Sequence, residues 1–158
     1  MSSNESFSKD MNEVGSDLNQ VTNLILGKPF FDERGKITNQ RVVNIGDNVD
    51  LEISLTSGGS VNGLNATDTA TFLSTIRSDT TVFSKGCGIL TAENAEIATY
   101  TFQGLGRYTP NGELMSNGVL FLETDSTGRL AFLNNLVGIF KNKIDRMGRT
   151  VTKTWELK

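Results

Sequence analysis

Arg41 is the residue whose placement most invites chemistry. In the stretch Ile37-Thr-Asn39-Gln-Arg41-Val-Val43-Asn-Ile45 simple alternation sets it, with Asn39, on the face of Ile37, Val43 and Ile45. A guanidinium on an apolar face needs a carboxylate, because an unpaired buried charge is expensive. Glu123 and Glu52 are the candidates within the chain, and a ligand carboxylate is the candidate outside it. Glu123 ends the face that carries Val119 and Phe121, Tyr100 shares a face with Phe102, and Lys85 and Cys87 fall on that of Phe83 and Ile89. Together Arg41, Tyr100, Phe102, Phe121, Glu123 and Trp155 predict a largely apolar cavity. Arg41 would hold the polar end of a small molecule, and Tyr100, Phe102, Phe121 and Trp155 would form the walls. The competing reading is an internal Arg41–carboxylate ion pair with no ligand, and alternation slips at every bulge.

The composition removes most other chemistry. The 158 residues include no histidine, which excludes Ser-His-Asp and Cys-His catalysis, His-ligated metals and the usual near-neutral proton shuttle. A single cysteine, Cys87, gives neither an internal disulfide nor a Cys-rich metal site, and no cofactor is expected. The glycine pairs Gly86-Cys87-Gly88 and Gly104-Leu105-Gly106 match no phosphate-loop pattern, and within strands they instead permit sharp coiling. A net charge of −3 without a Lys/Arg tract argues against nucleic acid. Residues 129–158 nevertheless carry seven Lys/Arg against two Asp/Glu, a basic tail on an acidic chain. The N-terminal residues lack an apolar leader run, so a reducing cytoplasm is the expected location.

The elements that must position these residues are strands. The longest nearly uncharged apolar run, Leu130 to Phe140, lies in the stretch Gly128 to Asp145 and is returned by a hairpin as Val151 to Leu157. It is too short to cross a bilayer as a helix, and Val137-Gly138-Ile139 favours a strand for its second half. Val49 to Thr56 alternates strictly, one face aliphatic and the other Asp50, Glu52, Ser54 and Thr56. Further strands are predicted at Lys36–Ile45, Ser60–Asn65, Asp68–Arg77, Thr80–Thr91, Ile97–Tyr108, Leu114–Thr124, Leu136–Asp145 and Arg149–Leu157. Turns are predicted between them, including Asp32-Glu-Arg-Gly35 and Ser57-Gly-Gly59. Such a meander closes most naturally into an antiparallel β-barrel, a single all-β domain over residues 22–158. Residues 1–21 differ in character: Phe7, Met11, Val14, Leu18 and Val21 recur at heptad spacing and predict an amphipathic helix that needs a surface to lie on.

Six elements, in order, carry a resemblance. Gly35-Lys-Ile-Thr-Asn-Gln-Arg41-Val, Leu51-Glu-Ile-Ser-Leu55, Gly86-Cys-Gly-Ile-Leu-Thr91, Gly104-Leu-Gly-Arg107, Leu130-Ala-Phe-Leu-Asn-Asn135 and Lys153-Thr-Trp-Glu156 resemble uncharacterised prokaryotic proteins related to the allene oxide cyclase and dirigent barrels. The resemblance covers residues 22–158 and implies an eight-stranded antiparallel barrel, assembled as a homo-oligomer, a trimer or dimer. It also implies a small hydrophobic molecule in the barrel and, if there is catalysis, a cofactor-independent isomerase or cyclase that works through shape. The cyclase's catalytic residues do not align onto this chain, so a packed, non-catalytic interaction module is the alternative. Neither nucleic acid nor membrane is an expected partner.

Overall fold

The computed structural model describes residues 26–158. They form eight strands: β1 (Phe31–Ile45), β2 (Val49–Val61), β3 (Leu64–Ile76), β4 (Thr81–Ala92), β5 (Ile97–Tyr108), β6 (Leu114–Glu123), β7 (Leu136–Ile144) and β8 (Arg149–Glu156). Each strand pairs antiparallel with the next, and β8 closes on β1, giving a closed barrel in sequence order. Closure satisfies the edge hydrogen bonds that an open meander would expose. The predicted N-terminal helix lies outside the described residues.

Strand boundaries from β4 onward follow the sequence expectation closely, whereas those of the first three differ from it. Asp32-Glu33-Arg34-Gly35 is not a turn but the opening of β1, and Ser57-Gly58-Gly59 lies inside β2. The actual hairpin between β2 and β3 is Asn62-Gly63, with φ of 46° and 83°, the two left-handed residues that a tight hairpin of matching twist requires. An Asn-Gly pair is the strongest short hairpin signal, and it lay within the segment predicted as the strand Ser60–Asn65.

Alternate residues of every strand face inward. One end of the barrel is sealed: the segment between β6 and β7 folds across it as a 3-10 turn (Ala131–Leu133), with Leu130 and Leu133 fully buried against Phe30, Leu122 and Leu136. The Glu96 carboxylate accepts a hydrogen bond from the Leu130 N–H at 2.7 Å and ties this plug to the start of β5. The apolar run singled out in the sequence thus supplies both the plug and a wall strand. At the other end lie the β1–β2, β3–β4, β5–β6 and β7–β8 turns, and the interior residues near it are only half-buried. There β1 and β2 extend past β8, whose pairing with β1 stops at Lys36.

Candidate functional site

Among the described residues, the buried acids of the barrel interior form one cluster. Glu33, the third residue of β1, and Asp68, on β3, both point inward and are 7% and 1% exposed. Three glycines make room for them. A side chain on Gly59 would collide with the backbone of Asp32 and Glu33, and one on Gly35 with Thr56 and Ser57. Their absence lets β1 lie close over β2, so that the Glu33 carboxyl crosses to the Ser57 hydroxyl, which donates to it, and to Asp68 beyond. From the other side Tyr100 on β5 reaches over Gly88 of β4, where any side chain would overlap its ring. Its hydroxyl donates to Asp68 Oδ2 at 2.7 Å.

The electrostatics follow from burial. No lysine or arginine is among the buried residues described, so the two carboxyls face each other without a cation. Burial, and then the neighbouring Asp68 charge, push the Glu33 carboxyl up to about 8, against the pull of the Ser57 hydrogen bond. Burial also raises Asp68, but the hydrogen bonds from Tyr100, Glu33 and the Thr69 backbone restrain it to about 6. Near neutral pH the pair therefore holds one proton, on Glu33, with Asp68 ionised. Among the described residues, Asp68 Oδ1 is the one buried side-chain oxygen without a hydrogen-bond partner. Burial and the same two carboxyls hold the Tyr100 phenol well above its usual range, so it stays protonated and donates to Asp68.

Beside this cluster is a cavity of about 90 Å³, bounded by Glu33, Asp68 and Tyr100 and by the aromatic side chains Phe72, Phe102 and Phe140. Phe102 is its centre, with ring centroids 5.6 Å from Phe72 and 5.7 Å from Phe140, both edge to face. Phe140 in turn lies over Gly104 and Gly118, whose missing side chains give its ring space. The cavity lining continues through Ser84, Ser116, Asn142 and Thr152, all half-buried, toward the turn end. This is smaller than the roughly 300 Å³ or more of a drug-sized site. It is also below the roughly 150 Å³ of an apolar cavity that takes benzene. A protonated acid, an ionised acid and a phenol at one wall can donate to, or exchange a proton with, a compact guest.

The fold is shared with two proteins of unknown function. A crystal structure of a conserved protein from Rhodopseudomonas palustris superposes with a TM-score of 0.69 at 12% identity, covering 85% of this chain and 99% of that one. A protein from Clostridium acetobutylicum ATCC 824 gives 0.69 at 11% identity, over 82% of this chain and 96% of that one. No protein-family model and no curated protein sequence matches the chain. At these identities the likeness is one of fold.

Of the residues expected to line the cavity, Tyr100 and Phe102 do so. Arg41 does not. Its side chain is 65% exposed on the outer face and forms a two-pronged contact with Glu52, Nε to Oε1 at 2.9 Å and Nη2 to Oε2 at 3.3 Å. The register shift at Thr38 reverses the alternation ahead of Arg41, which lies where β1 no longer pairs with β8. Glu123 also points outward and is exposed, far from any role as its partner. Phe121 is 52% exposed and Trp155 half-buried, both on the outer wall. Both faces of β6 are apolar, so alternation could not say which was inside: Leu120 and Leu122 are, Val119 and Phe121 are not. On β8 the inward face carries Thr150, Thr152 and Thr154 rather than Trp155. Lys85 and Cys87 likewise face solvent. Glu33 escaped the sequence reading because its tetrapeptide reads as a turn. Asp68 was legible: it begins an alternating series with Ala70, Phe72 and Ser74, a carboxylate on a core face.

Proposed function

We propose that the barrel takes a small, mainly apolar and uncharged molecule through its turn end and presents to it the Glu33–Asp68–Tyr100 cluster. If it catalyses a reaction, the chemistry is a cofactor-independent isomerisation or cyclisation in which Glu33 donates a proton or hydrogen bond to an oxygen of the guest and Asp68 accepts one. The observation that carries this reading is a buried acid pair without a cation, at the wall of a cavity. For stability alone such a pair is a poor choice, since apolar residues of similar volume would fill the space at less cost. An anionic guest is disfavoured, because the interior charge is negative and Arg41, the residue expected to hold a carboxylate, lies outside. The kinship with allene oxide cyclase and dirigent barrels, and assembly into a dimer or trimer, belong to this proposal and rest on the order of the sequence elements. Light scattering of the full chain tests the assembly.

The small volume favours a second reading, a barrel packed nearly solid whose working surface is external. Mass spectrometry of organic extracts separates the two. Purified protein should release a co-purifying small molecule in near-equal amount, and Ser84→Phe, which plugs the half-buried lining near the turn end, should lose it. No released molecule from the wild type, or equal release from both proteins, would favour the packed barrel.

A further inference from the structure

The outer wall of β6, β7 and β8 carries a continuous apolar patch next to the plugged end. Cross-strand pairing sets Phe121 beside Val137, Val119 beside Ile139, and Ile139 beside Trp155. Phe121 and Val119 are 52% and 37% exposed, and the other three are half-buried. On the same face, one step along the strands, Lys141 stands directly opposite Lys153. Like charges in that position repel, and an anion lying over them relieves the repulsion. Lys153 reaches Asp32 at 3.5 Å, but among the described residues Lys141 has no ion-pair partner.

We propose that residues 1–25 of the same chain cover this wall, with Phe7, Met11, Val14, Leu18 and Val21 on the apolar patch and the segment's carboxylates toward Lys141 and Lys153. Three observations select this occupant. The segment repeats large apolar residues at spacings that gather on one helical face, in a stretch otherwise polar. Its charge is complementary: Glu5, Asp10, Glu13 and Asp17 stand against the single Lys9. It also enters at the right place. The Phe30 N–H donates to the Thr154 carbonyl at 2.9 Å, one residue from Trp155. From there the wall to β6 is two strand spacings, about 10 Å. The eight residues between Val21 and Phe30, nine Cα steps in all, can span up to about 30 Å.

Trp155 is the sole tryptophan, so its fluorescence reports on the patch. In the full chain, Met11→Asp with Leu18→Asp should shift the emission to the red and raise acrylamide quenching about twofold, while the far-UV strand spectrum stays unchanged. Lys141→Glu should raise the quenching in the same direction and serves as the test should the double variant fail to fold. Quenching of the wild type should not change on dilution from about 100 to about 1 µM, because an intrachain contact does not follow mass action. Unchanged quenching in the variants overturns the proposal. A rise on dilution of the wild type also overturns it and assigns the wall to a second copy of the chain.

Discussion

Glu33 is the residue on which the interior depends. With its proton retained near neutral pH it is a neutral hydrogen-bond donor toward Asp68, and an amide of the same shape can replace it in that role. Glu33→Gln should therefore match the wild type in thermal stability at pH 5 and exceed it at pH 9, where the wild type must either ionise a buried acid or unfold. Thermal melts at the two pH values check this, and a variant that is equally destabilised at both would mean that the acid is not protonated. Arg41 gives the opposite expectation. Its pair with Glu52 is solvent-exposed, and exposed pairs contribute little. Arg41→Ala should leave the melting temperature essentially unchanged, and a large fall would contradict the outward placement. The difference between the two residues was only partly visible beforehand. Alternation detects a charged residue among apolar neighbours, but cannot see that a bulge at Thr38 turns Arg41 away or that Glu33 belongs to a strand at all.

Among the elements, the later strands were legible and the early ones less so, for a physical reason. From β4 on, turn residues and alternation agree. In β1 and β2 the glycines at positions 35 and 59 look like punctuation yet serve close strand approach within the sheet. The glycine pairs of β4 and β5 permit coiling, and the structure gives Gly88 and Gly104 a more specific task, as floors beneath the Tyr100 and Phe140 rings. Gly88 makes the sharpest test. In Gly88→Ala the new methyl overlaps the Tyr100 ring, which must swing away and release its hydrogen bond to Asp68. Overpacking of this kind costs about 1 to 3 kcal/mol, measurable by urea unfolding. Combining it with Tyr100→Ala should cost less than the sum of the two separate losses, since both act on one contact. Strictly additive losses would show that Gly88 and Tyr100 are not coupled.

For the whole molecule, the closed barrel with one plugged end and one half-open end makes the acid pair a determinant of pH dependence. Both folded values are raised above the ordinary carboxylate values of 4.5 and 3.8. The protonated forms thus favour folding: this stability is fully present below the unfolded values and is lost as pH rises through about 6 for Asp68 and about 8 for Glu33. The melting temperature should fall between pH 5 and pH 9, and the fall should be shallower in Glu33→Gln. The closed antiparallel barrel and an inward Tyr100 and Phe102 could be read from the chain. The acid pair could not, because it forms only when β1 crosses β2 to meet β3. The central claim, a buried carboxylic acid kept neutral at the wall of the cavity, is tested most directly by carbon-13 NMR titration of the Glu33 carboxyl, assigned by its loss in Glu33→Gln. A midpoint of about 8 is the predicted result; a midpoint at or below the ordinary 4.5 would contradict it.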